Sequence, residues 1–353
     1  MNLTSAIEVP SYAFTLIKMG FLKQLIMDEN TLHKLDEITD IKQFIEFISM
    51  FYPGLIIKSY NIEDIEKALF HTYIKLIGRI VYISPKTMRL FLRNYLMKYE
   101  IMNIKHVILG TILGISIEEK SSMVNLLVEK YLDNTDFMKD LIEIPSLEEI
   151  QLYMKPTLYN KVIREGILYF RKTNEVFVLE AFLDQLYYNN LKDEIKFLTQ
   201  KEKVMIIPFV KYISEIYNLR LIYRGIKNNI DKNLLLQLVL DEYLFINEKI
   251  LKKLVNLEDI DEFNDILIQH LRTKKELKSS LILSSLDLEH FIWSIEKLYL
   301  NYYFKILEIK SADIEFQAIY KILEVLIKKD KEIRLYILPK LVNIMFDKYK
   351  LLK

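Results

Sequence analysis

Three stretches of the chain say the same thing in the same order, and that repetition limits the fold more than any other feature. "EIMNIKHVILGTILGIS" (residues 100–116) and "EIYNLRLIYRGIKNNID" (215–231) align at one offset, placing Glu100 on Glu215, Asn103 on Asn218, Lys105 on Arg220 and Gly110 on Gly225. A third copy, "KEIRLYILPK", keeps Glu332 and Ile333 but has Leu335 where the Asn would stand. Upstream, "LDEITDIKQF" (35–44), "LIEIPSLEEI" (141–150) and "LVNLEDIDEF" (254–263) share apolar residues at every third position, the step of a helical face. Between these segments, "IEKALFHTYIKLI" (65–77), "LEAFLDQLYYNNL" (179–191) and "IEKLYLNYYFKIL" (295–307) match Glu66, Glu180 and Glu296, then Tyr73, Tyr187 and Tyr303. Segments that recur in a fixed order mark repeated structural units, here 1–117, 118–234 and 235–353.

The periodicity within each unit is three to four residues, so each reads as a small helical bundle with one apolar side. Only seven glycines and seven prolines serve 353 residues, too few for the many turns of an all-β fold. No Gly/Ser/Pro-rich linker separates the units, which predicts continuous packing from one to the next. Pro53, Pro85, Pro145, Pro156 and Pro208 are expected between helices or near their starts, whereas Pro339 lies inside the last helical pattern and should kink or end it. Gly110 and Gly225 stand near the ends of their helices, and Gly225 is expected to close its helix in the left-handed conformation.

The expected fold is therefore all-α, built from three homologous helical-bundle repeats. The repeats, the tyrosine-rich "LDQLYYNNL" segment, "YAFTLIKMGFLKQLI" near the N-terminus and "YNLRLIYRGIKNNID" together resemble the C subunit family of V/A-type ATP synthases, whose eukaryotic vacuolar counterpart is known as the d subunit. Asn218, Leu219, Arg220, Ile222, Arg224 and Gly225 fit the family's Asn-Leu-basic-x-Ile-x-Arg-Gly pattern, and Asn103, Ile104, Lys105, Ile108 and Gly110 fit it less fully. Lys18 stands where the family usually has arginine, and Leu335 departs from it in the third copy. The resemblance implies a funnel-like arrangement of the repeats. It also implies a non-catalytic central-stalk spacer that seats the rotor shaft, made of the D and F subunits, on the membrane proteolipid ring, on the cytoplasmic side and peripheral to the membrane. A helical-repeat scaffold for an unrelated protein partner is the alternative.

The residues support that assignment mainly by exclusion. No phosphate-binding loop, G-x-G-x-x-G or G-x-S-x-G sequence is present, and no cysteine is available as nucleophile, ligand or disulfide partner. His33, His71, His106, His270 and His290 lack metal-site spacing, so no cofactor, metal or small-molecule substrate is expected. With 49 basic and 48 acidic residues interspersed, no global field favours nucleic acid. No signal peptide is read at the N-terminus, and the longest uncharged apolar runs fall short of the roughly 18 residues that cross a bilayer. Glu100, Asn103, Gly110, Glu215, Asn218, Gly225 and Glu332 read as structural signature positions, with Asn218 satisfying polar groups at a helix contact. Arg220 and Arg224 read either as structural salt bridges or as contacts with the shaft, and Lys105 reads as a candidate shaft contact.

Overall fold

The computed structural model describes residues 11–274, 277, 291–310 and 313–351, and every long element among them is helical, with no strand. The helices begin where the sequence supplies oxygen acceptors for their free N–H groups. Asp28, Asp40, Asn61, Asp231, Asn247, Asp259 and Asp313 each accept from a backbone N–H of the first turn. Ser116 with Glu119, and Thr199 with Glu202, form reciprocal capping boxes.

The described residues group into two compact units, one drawn from residues 1–96 and 310–353, the other from 97–309. In the first, Ala13–Lys23 and Ile62–Ile83 pack with Ile314–Lys331, which brings the two ends of the chain into one core. Ile65, Leu69, Tyr73, Ile77 and Ile80 recur along Ile62–Ile83 at three- and four-residue steps and are buried. The Tyr73 hydroxyl donates to the Leu326 carbonyl at 2.8 Å, so a bulky residue pays no polar penalty inside that core. In the second unit, Val176–Glu194 lies against Asn160–Thr173 and alongside Gln200–Lys227. Close approach of the first pair depends on Gly166, where a Cβ would stand 3.0 Å from Leu179 Cγ. The tyrosines selected by the repeat are interior: Tyr303 stacks on Tyr212 with centroids 5.7 Å apart, and Tyr187 and Tyr217 both pack against Tyr188.

The ends of the two 28-residue helices, Lys86–Leu113 and Gln200–Lys227, are built alike. Ile115 N–H donates to the Gly110 carbonyl at 3.0 Å, and Ile230 N–H to the Gly225 carbonyl at 2.9 Å. Gly114 and Asn229 carry the left-handed backbone, with φ of 67° and 53°. Gly225 itself is helical, contrary to expectation. Its lack of a side chain serves packing: a Cβ there would lie 2.6 Å from Leu235 Cδ1, as one at Gly110 would lie 2.7 Å from Lys120 Cγ. The following helix thus crosses directly over the glycine in both copies.

Two prolines also differ from one another in effect. Pro208 lies inside Gln200–Lys227 and not near a helix boundary; the carbonyl it leaves without a donor belongs to Val204, on an exposed turn that water can reach. Pro339 behaves as a helix disruptor: with no N–H to give the Leu335 carbonyl, it follows a π-helical segment, Glu332–Ile337, before the chain resumes as Leu338–Leu351.

Replacing Gly225 by alanine should overpack the crossing and lower stability by about 1–3 kcal/mol in denaturant unfolding. Adding Leu235→Ala should recover part of that loss, and additive losses from the two changes would show that the crossing is not the cause.

Candidate functional site: the buried signature residues

No group of three or more His, Asp or Glu side chains among the described residues could hold a metal ion. His106 Nδ1 lies 3.0 Å from the Met123 carbonyl and His270 Nε2 3.1 Å from the Phe245 carbonyl, which makes both packing residues. His290 lies outside the described residues. The polar chemistry of the chain is concentrated instead at the repeat-signature positions, where Glu100, Asn103, Glu215, Asn218 and Glu332 are all buried.

Each Asn pairs with a backbone segment 22 residues onward. Asn218 Nδ2 donates to the Leu240 carbonyl at 2.8 Å while its Oδ1 accepts from Leu240 N–H at 2.8 Å. Asn103 Nδ2 donates to the Asn125 carbonyl at 3.2 Å, and its Oδ1 accepts from Asn125 N–H at 3.0 Å. A carboxamide is the one uncharged side-chain group that offers donor and acceptor side by side, as a peptide unit does, so it can close a backbone segment that has no strand partner.

The glutamates hold the same downstream regions by charge. Glu215 accepts from the N–H groups of Leu244, Phe245 and Ile246, the second at 2.9 Å. Glu100 Oε1 accepts from Asn134 Nδ2 at 2.7 Å. Glu332 reaches back to the start of the chain: Oε1 accepts from Met27 N–H at 2.7 Å, and Oε2 from Lys329 Nζ at 2.6 Å and the Tyr52 hydroxyl at 3.2 Å. Lys329 Nζ also donates to the Leu25 carbonyl at 2.7 Å and lies 3.7 Å from the centre of the Tyr52 ring. Lys329 and Glu332 are three apart on one helical face, a spacing legible in the sequence; their burial was not.

Burial pushes Glu100, Glu215 and Glu332 above the usual carboxylate range, against the hydrogen bonds that favour their charge. A further buried carboxylate belongs to a residue the repeat did not single out. Glu129 is fully buried and accepts from Asn103 Nδ2 at 2.7 Å, while its second oxygen meets no donor among the described residues. Burial first, and the nearby Glu100 charge second, push it up to about 8. In the sequence Glu129 sits beside Lys130 within an amphipathic pattern, which reads as a solvated face.

Lys105 and Arg220 are engaged inside the second unit. Lys105 Nζ is 2.6 Å from Asp184 Oδ1, and Arg220 pairs with the buried Glu296. Arg224 is 55% exposed, stands 3.9 Å from Glu180 and covers the Phe177 ring at 4.3 Å. Structural pairing, one of the two readings of Arg220 and Arg224, thus has a geometric counterpart for both, and Lys105 is paired as well.

Two substitutions measure these joints. Asn218→Ala strands the Leu240 N–H and carbonyl in a buried place and should cost roughly 1–3 kcal/mol. Glu129 binds a proton in the folded chain at pH values where the unfolded chain has released it, so its contribution to stability falls from about pH 5 and is lost as pH rises through about 8. Glu129→Gln should flatten that decline in melting temperature and raise stability at the alkaline end; an unchanged pH profile would place the titration elsewhere.

Among the described residues, no helix is long and apolar enough to cross a membrane. Compared with known proteins, the chain matches the family model of the ATP synthase (C/AC39) subunit over residues 18–335. It is similar to the A-type ATP synthase C subunit of Methanocaldococcus jannaschii, 27% identical over 62% of this chain and 55% of the relative. The corresponding protein of Pyrococcus furiosus is 24% identical over 70% of this chain and 65% of its own length, and that of Methanococcoides burtonii 24% over 70% and 68%. The alignments thus span roughly half to two-thirds of these relatives, whereas the family model covers most of this chain. By that match, the chain belongs to the ATP synthase (C/AC39) subunit family.

Proposed function

We propose that the chain is a non-catalytic central-stalk component of a V/A-type ATP synthase or ATPase, a spacer that seats the D–F shaft on the membrane proteolipid ring. In this role it transmits torque for ATP-coupled proton or sodium transport, and it works on the cytoplasmic side, peripheral to the membrane. The observation that carries the reading is the match to the C/AC39 family over residues 18–335. The physical support is the set of buried joints. A part that passes rotation between two neighbours must resist shear between its own segments, and Glu215, Asn218 and Glu332 fix backbone to helix through several charge-assisted or paired hydrogen bonds each. We take the repeats 1–117, 118–234 and 235–353 as its building units, each closed by a signature helix.

Of the three bases proposed for the shaft, Arg224 is the best placed to contact it. Lys105 and Arg220 are committed to Asp184 and to the buried Glu296, and hold the surface from which Arg224 projects. A complementary charge on the shaft would set orientation and association rate, and its effect would weaken with salt.

Co-expressed with the shaft and ring proteins, the tagged chain should retain D, F and the proteolipid; retention of unrelated proteins in their place would favour a general scaffold and overturn the reading. Arg224→Glu should slow association with the D–F shaft at low salt while helicity stays at the parental value and melting temperature falls only slightly, the Glu180 pair being partly solvent-exposed. Arg220→Glu should instead destabilise the chain, because it sets a second carboxylate against the buried Glu296. Normal shaft binding by a folded Arg224→Glu variant would move the contact elsewhere.

A further inference from the structure

The Ala13–Lys23 helix buries Thr15 and Met19 and turns the opposite side outward. Phe14, Ile17 and Phe21 on that side are 54%, 63% and 65% exposed. One exposed phenylalanine is ordinary, but three large apolar side chains at i, i+3 and i+7 form a patterned stripe on one helical face. Lys18 projects beside them and lies 5.5 Å from the Phe14 ring centre. The Thr15 hydroxyl donates to the Ile83 carbonyl at 2.6 Å, which sets the helix against the turn that links Ile62–Ile83 to Lys86–Leu113. That turn continues the character of the stripe: Tyr82 is 79% exposed, and Lys86 and Arg89 are exposed beside it. Arg89 donates to the carbonyls of Tyr82 and Ser84, which fixes the turn.

The charge of these segments is one-sided. No acidic residue occurs from Tyr12 to Met27 or from Lys67 to Leu96, although the whole chain has almost equal numbers of acids and bases. Ile314–Lys331, which packs on the first helix, brings Glu324 there, buried and paired with Lys23 at 2.9 Å and Lys328 at 2.8 Å; the same helix also places Lys321 beside Gly20. A stripe of Phe and Ile with cations along it, and an exposed Tyr at its edge, is the composition of a helix that lies in the headgroup boundary of a bilayer. A protein groove would have to be both apolar and acidic along its length to match it, whereas an anionic lipid surface supplies both by its nature.

We infer that the outward face of Ala13–Lys23, together with the 82–89 turn, is a seat for an anionic phospholipid surface. The inference does not rest on the spacer reading, because it concerns what the isolated full chain does with lipid.

The full chain should float with vesicles of phosphatidylcholine containing phosphatidylglycerol at low salt, and should not float with phosphatidylcholine alone. High salt should release it. Lys18→Gln with Lys86→Gln should weaken the partition by roughly 25-fold, about fivefold for each lost basic contact. Ile17→Ser with Phe21→Ser should weaken it at both salt concentrations. These positions are exposed, so circular dichroism and melting should match the parent; if one pair fails to fold, the other decides. Absence of flotation with the phosphatidylglycerol vesicles, equal flotation with both vesicle types, or parental flotation by a folded variant would overturn the inference, and the first result would return the face to a protein partner.

Discussion

A carboxylate taken out of water inside a helical bundle must be met by donors, and the arrangement around Glu100, Glu215 and Glu332 follows from that need. An unpaired buried charge costs several kcal/mol, so a glutamate at such a position either loses its charge or recruits N–H groups. Glu215 recruits three consecutive backbone N–H groups, in a stretch after Lys232–Leu238 where no helix supplies acceptors for them. The carboxylate and the non-helical segment therefore complete one another: the segment's donors need an acceptor, and the glutamate needs its charge met. Asn218, one turn along the same helix, does the equivalent for Leu240 with both halves of its amide. Polar groups that would be liabilities singly become a means of fixing an irregular segment onto a regular one.

The third copy shows what happens when one member of this pair is missing. Leu335 offers no amide and is buried as an apolar residue. The helix around it widens into π geometry ahead of Pro339. Glu332 retains its role with a different set of donors, the ammonium of Lys329, the hydroxyl of Tyr52 and the N–H of Met27. An ammonium and a hydroxyl stand in for two of the three amide N–H groups, and the ring of Tyr52 under Lys329 adds cation–π stabilisation to a cation that burial alone would push toward neutrality. Because its partners come from the opening segments of the sequence, this joint holds together residues more than 300 positions apart.

Helical class was legible because it depends on local periodicity, which survives sequence drift. The signature positions were legible for the same reason: Glu100 and Glu215, and Asn103 and Asn218, recur at one offset. What they bind was not, since Leu240, Leu244 and Met27 are met through backbone N–H groups, and a backbone N–H leaves no mark in a sequence. Glu129 escaped because a buried acid and a solvated one are spelled alike. Gly225 was misplaced by analogy with helix ends, where glycine usually marks a left-handed residue, whereas Asn229 takes that conformation here and the glycine makes room for Leu235. Pro208 was likewise assigned to a boundary on propensity alone, although a proline whose orphaned carbonyl faces an exposed turn is tolerated within a long helix.

These joints also limit how the chain can deform. An apolar contact between helices can slide with little change in free energy until the side chains lose register, because the hydrophobic effect is non-directional. A hydrogen bond loses most of its strength once its angle falls toward about 120°, and a buried one has no water to replace it. Segments tied by Glu215, Asn218 and Glu332 are therefore stiff against small displacements and fail abruptly at larger ones, which differs from the graded compliance of a purely apolar bundle. In the spacer role proposed above, that difference would matter more than stability itself: torque passes through an interface without lag only if strain is not absorbed by sliding within the part that carries it.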